Sequence, residues 1–567
     1  MASERALLGA VAALSLSVLG ACGGGLRQFP LQDPLWVDPD RRPFAGEPEE
    51  YYSPFAWDGA NQLVFRPISR FFAVDPAGRA VNVNAFDEVP DSSWFRNRMG
   101  RFRLSAAQVA RGACRTPPPD PAGPWTVTGA KPNGANPGFL IKSSEGRRYL
   151  VKFDGVVQGP RASAADVIGA NLYHAAGYYV PCNTIVNFER SILVYDPKAK
   201  GENAKGEKEP LSDAHLDAVF DKALHLPDGR YRANLSLFVE GKPIGPWTYE
   251  GTRKDDPNDV IPHEDRRELR GMEVLAAWIN HFDSREQNTL ASFVAAGKGG
   301  YVRHYMIDFG DSFGSIWEPP QLGRRIGHAY YLDVGDVVED FISFGLIRRR
   351  WDGVRFGASG AVFGYFDVET FVPDEYKPGY PNPAFVRKQE SDAAWMARIL
   401  ARMSDEHVRA AVDAAEMGPR LSAELTRILV GRRDKLLRRY LTRLSPLAWP
   451  TVSGGAAPRL CLEDLALTAG VALARERSYR ATAYLGDELA RGLPLQVRVG
   501  GDARPCFDLP TDPRGSVTTP RYMVLDVAAR SPDHAPGPLR VHLYYGLPKD
   551  GLRVVGLERP NGHGPPG

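Results

Sequence analysis

Two stretches of the chain carry side chains whose types and order suit the handling of phosphate and metal charge. The first reads His281-Phe282-Asp283-Ser284-Arg285-Glu286-Gln287-Asn288; in the second, Met306-Ile307-Asp308-Phe309-Gly310-Asp311-Ser312-Phe313-Gly314, Asp308 stands twenty residues after Asn288. Carboxylate and amide oxygens are the hard donors that Mg²⁺ takes. A further carboxylate can orient an attacking hydroxyl, and phosphate oxygens need a cation. Lys152, in Val151-Lys152-Phe153, supplies a candidate cation. Each short motif is weak alone. Read blandly, Asp283 and Asn288 cap a loop, Asp308-Phe309-Gly310 ends a strand in a turn, and Lys152 is an exposed strand residue.

The elements around these residues give them an order. Phe139 to Lys142, a turn at Ser143 to Gly146, and Tyr149 to Phe153 read as a β-hairpin. A helix from Ser163 to Ala176 is closed by Gly177. Strands follow at Thr184 to Val186, Ser191 to Tyr195 and Ala233 to Glu240, with a polar, Lys-rich insertion over residues 198 to 230. Leu269, Met272, Leu275 and Ile279 share one face of a helix spanning about Glu264 to Ile279. Helices are expected at 392 to 403, 405 to 416 and 420 to 442, with Arg432, Arg433, Arg438 and Arg439 on a solvated face. Ahead of these three helices, Arg324 to Tyr380 fills a core or binds substrate.

The sequence of hairpin lysine, helix, two strands, apolar helix, Asp-to-Asn loop and Asp-Phe-Gly strand resembles the catalytic core of the protein-kinase-like superfamily. The phosphatidylinositol kinases and the atypical secreted or bacterial kinases are the nearer pattern. The resemblance implies an α+β, two-lobed kinase-like domain over residues 121 to 445, with a β-rich N-lobe and a helical C-lobe. It implies that Asp283 accepts the substrate proton, Asn288 and Asp308 hold Mg²⁺, Lys152 pairs with ATP phosphates, and His281 packs beneath the loop. Three positions depart from the family. Asp166 stands where the family has a glutamate partner for the lysine, and Ser163 with Asp166 also fits a helix-capping box. Gly129, Gly134 and Gly138 do not make a regular glycine-rich loop, so that stretch covers phosphates or is an ordinary loop. Phe282 replaces the usual basic residue before Asp283.

Arg5 followed by the apolar run Ala6 to Leu19 reads as a signal peptide, residues 1 to 21. Leu19-Gly20-Ala21-Cys22 resembles the bacterial lipobox, which implies lipid on Cys22 and, with Gly23 next, a place in the outer membrane of the cell envelope. Gly23 to Gly25 make a flexible tether. Residues 22 to 120 read as tether and irregular wrapping segment, and 450 to 567 as a small β-rich domain. Cys114 with Cys182 and Cys461 with Cys506 are two disulfides or four buried thiols. A net charge of +2 over 567 residues, with no basic run interleaved with aromatics, gives no reason to expect a nucleic-acid partner. The functional expectation is an atypical, ATP- and Mg²⁺-dependent phosphotransferase of the envelope acting on an unknown exported acceptor. The alternative is a catalytically inactive, pseudokinase-like binding or scaffold lipoprotein.

Overall fold

Alternating burial in the segments Trp125–Ala130 (β1), Gly138–Lys142 (β2) and Arg148–Phe153 (β3) marks strands with one face turned to a core. They belong to a computed structural model that describes residues 28–71, 78–131, 136–202, 208–316, 320–454, 458–485, 489, 491–500, 504–510, 521–547 and 551–560. Cys22 and Gly134 lie outside the described residues, as does the signal-peptide run. The described chain is a mixed α+β fold with several sheets.

After the helix Arg161–Ala176 (α1) come Asn183–Phe188 (β4), Leu193–Tyr195 (β5) and Tyr231–Leu237 (β6). The six strands form one sheet in the order β4-β6-β3-β2-β1-β5. Trp125, Phe139, Phe153 and Phe188 pack on one of its faces, joined by Leu216 and Phe220. These last two come from a helix, Asp213–Phe220, inside the stretch read as a polar insertion. Eight residues are too few for a helical period to stand out from the lysines around them.

Helix α1 has almost no exposed residue, because neighbours close on it from several sides. Small residues permit that approach: a Cβ on Gly169 would come within 2.6 Å of the Phe309 side chain. Arg267–Ile279 (α2) ends at Asn280, whose left-handed φ of 53° turns the chain into the loop carrying Asp283. Then Thr289–Ala296 (β7) and Gly299–Met306 (β8) pair antiparallel, Thr289 opposite Met306. Gly297, at φ 57°, makes the tight turn. That hairpin accounts for the twenty-residue spacing, since it returns the chain to its start: the Ile307 N–H donates to the Asn288 carbonyl at 3.0 Å.

Glu390–Leu400 (α3), Asp405–Asp413 (α4) and Pro419–Tyr440 (α5) complete a core with α1 and α2 around Met272, Trp278, Trp395 and Leu429. Arg432 and Arg433, read as solvated, are buried. The Arg432 guanidinium donates to the carbonyls of Trp278 (2.8 Å), Ala277 (2.7 Å) and Asp367 (2.9 Å) and lies over the Phe371 ring. Its position explains this: Leu425, Leu429, Arg432 and Leu436 share one helix stripe. The segment 324 to 380 fills part of the core through Phe363, Phe366 and Tyr376, while its helix Val334–Ile342 lies wholly on the surface.

Beyond α5, a four-stranded and a five-stranded sheet share one core, with Leu460 and Phe507 from the first and Leu525 and Val541 from the second. The sulfurs of Cys461 and Cys506 are bonded there, and those of Cys114 and Cys182 beside the six-stranded sheet, so neither pair stands as free thiols. The N-terminal segment runs across several elements. Phe29 is fixed to the five-stranded sheet, its N–H donating to the Tyr522 hydroxyl at 2.8 Å, and Trp36 stacks on Trp449. The segment is not irregular throughout, because residues 55 to 71 are helical. Its aromatics hid the helix by facing outward: Trp57 and Phe65 are exposed while Asp58 and Gln62 face in.

Candidate functional site

The two chemistry-bearing stretches and Lys152 meet at the junction of α1, the six-stranded sheet and the β7–β8 hairpin. Strand β3 carries Lys152 between β2 and β6, and α1 carries Asp166 beneath it. The Lys152 ammonium donates to Asp308 Oδ1 at 2.8 Å and to Asp166 Oδ2 at 3.1 Å. Burial works against its charge, yet the two carboxylates hold its pKa above the ordinary lysine value.

Asp166 does not cap the helix. That part is taken by Asp154, whose carboxylate accepts from the Ser163 N–H (2.7 Å) and hydroxyl. Asp166 instead accepts from Lys152, from Asn234 Nδ2 at 3.1 Å and from the Phe309 N–H at 2.8 Å. Burial raises its pKa, with the Lys152 charge opposing.

Asp308 sits at φ 56°, a left-handed conformation that aspartate tolerates better than most residues. Burial pushes its carboxyl up, but Lys152, then Lys131, hold it at about 2. Its side chain is nevertheless 41% exposed, open to the cleft, so this charge is partly screened. The next residue, Phe309, turns inward against Tyr173 and His281. His281 is buried with Nδ1 3.2 Å from the Tyr173 hydroxyl, and burial lowers its pKa to about 4. A neutral ring packed under the loop is therefore what the structure places there.

Asn288 donates from Nδ2 to Asp283 Oδ2 at 2.8 Å and to the Asp283 carbonyl at 2.7 Å. Arg285 Nε lies 3.1 Å from Asp283 Oδ1. Burial lifts the Asp283 carboxyl to about 7, against the pull of Arg285 and with the charges of Asp311 and Asp308 adding to the rise. The Ile307 N–H bond to the Asn288 carbonyl sets this loop beside the Asp308 turn.

Sequence reading missed several members of the cluster. Lys131 follows β1, donates to the Asn136 carbonyl at 2.9 Å, and faces the charges of Lys152, Asp308, Asp166 and Asp311. Asp311 lies three residues past Asp308, a spacing visible in the sequence; burial raises its carboxyl while Arg161 opposes. Arg161 itself clamps the turn after Asp308, donating to the Gly310 and Ser312 carbonyls at 2.7 Å each. Tyr380 lies over Arg285, and Tyr331 packs edge-on against Tyr380. Asn136 lies over Gly310, where an added Cβ would meet its Nδ2 at 3.4 Å, so the end of the β1–β2 loop reaches the Asp308 turn.

Among the described residues, no group of three His, Cys, Asp or Glu side chains stands in metal-binding arrangement. That does not disfavour Mg²⁺, which keeps several waters and is bound through one or two carboxylates plus substrate phosphates. The Asn288 amide nitrogen is engaged by Asp283, which leaves its Oδ1 as the donor atom for a cation. Together with an exposed Asp308 carboxylate and two lysines, the donor set suits a magnesium–phosphate group.

No family model and no curated protein matches the chain. Among solved structures, it is similar to a Helicobacter pylori proinflammatory kinase, CtkA, at 13% identity and a TM-score of 0.29, covering 56% of this chain and 96% of that one. A Golgi casein kinase matches at 10% identity and a TM-score of 0.22, over 55% and 76% of the two chains. The Golgi casein kinase with Mn and ADP bound matches at 9% and 0.22, over 56% and 74%. At such TM-scores the functional reading stands on side-chain geometry.

Proposed function

We propose that this chain is an atypical kinase-like phosphotransferase of the cell envelope, lipid-anchored through Cys22, using ATP and Mg²⁺ on an unknown exported acceptor. The six-stranded sheet and the helices α2 to α5 are then the two lobes of a domain spanning residues 121 to 445. The observation that carries this reading is the Lys152 ammonium bridging Asp166 and Asp308, with Asp283 and Asn288 bonded to each other in the same cleft.

In this reading Asn288 Oδ1 and Asp308 hold the magnesium ion, which when bound neutralises phosphate charge. Lys152, kept protonated and immobile by two carboxylates, offers its charge to phosphate oxygens without having to reorganise. Lys131, held by a carbonyl and not by a carboxylate, offers a second cation. Asp283, fixed by Asn288, takes the proton of the acceptor hydroxyl. Arg285 keeps that carboxyl from rising further.

Calorimetric titration of the full chain with Mg-ATP tests the proposal. Saturable binding is expected, weakened at least about 10-fold by Asp308→Ala through loss of one metal ligand. Binding indifferent to that change removes the metal assignment, and no binding at all removes the nucleotide.

The position of Asp283 also sets a pH dependence. A base must be deprotonated, so turnover is expected to climb with pH up to about 7 and level off above it. Arg285→Gln removes a cation that lowers the Asp283 value and should move this limb to higher pH. A profile flat from pH 5 to 8 would leave Asp283 without the role of base.

A further inference from the structure

The loop from Asp283 to Asn288 is gripped from outside the six-stranded sheet and the helices α2 to α5. Its two middle charges, Arg285 and Glu286, are met by the helical stretch at residues 55 to 71. Arg66 Nη1 donates to Glu286 Oε1 at 2.6 Å, and Arg66 Nε lies 3.5 Å from Glu250. Asp58 Oδ2 stands 3.7 Å from Arg285 Nη1, while Asp58 Oδ1 accepts from Gln62 Nε2 at 2.7 Å. Asp58, Gln62 and Arg66 recur every four residues, so one polar stripe of the helix faces the loop, its charges opposite to those it meets. Asp58 is buried, and among the described residues Arg285 is the one cation within ion-pair distance of it. A buried carboxylate is costly to leave unpaired, so it draws the arginine toward itself.

Other groups fix the rest of the loop. The Tyr376 hydroxyl donates to the His281 carbonyl at 2.8 Å, and Asn382 Nδ2 to the Ser284 carbonyl at 3.2 Å. At the far end the Asn288 N–H donates to the Arg285 carbonyl and the Asn288 carbonyl accepts from the Ile307 N–H, each at 3.0 Å. The Arg285 side chain is set by none of these bonds, and its placement bears directly on Asp283. Asn288 Nδ2 engages Asp283 Oδ2, which leaves Oδ1 to meet an acceptor hydroxyl, and Arg285 Nε stands 3.1 Å from that same Oδ1. A guanidinium is a planar fork that closes on a carboxylate with two nitrogens when nothing else holds it. Here Nη1 is turned toward Asp58, with the Tyr380 ring 5.2 Å from the guanidinium carbon.

We propose that Asp58 and Arg66 are positioning residues for the Asp283 loop, Asp58 holding the Arg285 guanidinium off Asp283 Oδ1 and Arg66 pinning the adjacent Glu286. The N-terminal helix is then a brace that completes the site from outside residues 121 to 445. This assignment rests on Asp283 being the base of the proposed phosphotransferase. It concerns one oxygen of that carboxylate, whereas nucleotide and metal are left to Lys152, Asn288 and Asp308. Loss of the brace should therefore lower turnover and leave Mg-ATP affinity as it is.

Full-chain variants are compared by ADP release at saturating Mg-ATP with water as the acceptor, each turnover giving ADP and phosphate, and by calorimetric Mg-ATP affinity. Both are measured above about pH 8, where a displaced acid limb does not enter. Asp58→Asn, which keeps the shape of the side chain and the Gln62 bond, should lower kcat about 10-fold with affinity within about 2-fold, the scale of a slightly misplaced reacting group. Adding Arg285→Gln to it should restore kcat, because the guanidinium that closed on Oδ1 is gone. Arg66→Met should lower kcat by a similar factor, and Arg66→Lys should recover most of the loss. A native chain that releases no ADP overturns the base assignment and the brace together. Release that Asp58→Asn or Arg66→Met leaves unchanged, a loss that Arg285→Gln does not reverse, or an equal loss of Mg-ATP affinity overturns the brace alone.

Discussion

Lys152→Met is expected to lower turnover of ATP, read as ADP release, by at least about 10³-fold, the scale lost when a preorganised charge is removed from a phosphoryl-transfer site. The substitution removes more than one cation. Asp166 and Asp308 then face each other across the vacated space with only the weaker influence of Lys131 to oppose their charges, and the Asp308 carboxyl loses the main influence holding it near 2. A neutral, protonated Asp308 is a poor metal ligand, so the loss should appear in Mg²⁺ dependence as well as in turnover. Asp166→Glu makes the sharper comparison, because it restores the residue type of the family this chain resembles. Asp166 is held by three donors, Lys152, Asn234 and the Phe309 N–H, each seated for the shorter side chain. An extra methylene in that buried space displaces Phe309 and Lys152 together. Turnover should therefore fall about 10-fold and not rise. A gain of activity would mean that the aspartate marks a degraded site and not a repacked one.

How far the site could be read from sequence depends on which contacts are local in the chain. The Asp283 and Asn288 pair is five residues apart in one loop, a spacing visible in the sequence that gains weight only from the order of the elements around it. Lys152 stood out because a lysine interrupts an apolar strand. Asp166 was ambiguous for a physical reason: three residues after Ser163, a carboxylate fits a capping box as well as an ion pair, and only the tertiary position of Asp154 decides between them. Lys131 gave no signal, since its relevance comes from strand β1 ending beside β2. Asp311 lies three residues past Asp308, but only burial in the folded chain brings its carboxyl into the charge cluster. The reach from Asn288 to Asp308 looked like twenty residues of unspecified chain, although Gly297-Lys298 between two apolar runs is a hairpin signal. The helix at 55 to 71 and the exposed helix at 334 to 342 share one cause of difficulty. Their apolar faces point outward, so a reading that assigns apolar stripes to a core places them wrongly or not at all.

Asp87→Ala is expected to destabilise the whole chain by about 3 kcal/mol or more, a loss typical of removing one member of a buried ionic cluster. Asp87 lies in the segment read as a wrapper, and its carboxylate is shared by three guanidiniums from distant parts of the chain. Arg267 opens α2, Arg398 (3.2 Å) lies in α3, and Arg559 (2.7 Å) follows the last strand of the five-stranded sheet. Burial opposes the charge on Asp87, but the three arginines together hold its carboxyl well below the usual carboxylate range. Alanine leaves three largely buried cations close together. Arg267 keeps Asp392 and Arg398 keeps Glu88, whereas Arg559 retains, among the described residues, hydrogen bonds to the carbonyls of Ser445 and Leu447 and the charge of Glu88, with which it has no direct ion pair. The C-terminal sheets should thus loosen first, and urea melts should show an earlier, broader transition. The pH dependence fixes the sign. A carboxyl lowered in the folded state stabilises above its unfolded value of about 3.9 and loses that contribution as pH falls toward the folded value. The gap in stability between the native chain and Asp87→Asn should therefore be full near neutrality and narrow steadily below about pH 4. A gap that stays constant through that range would mean shape and hydrogen bonding, not charge, make Asp87 the point where the N-terminal segment, the helices and the C-terminal sheets are joined.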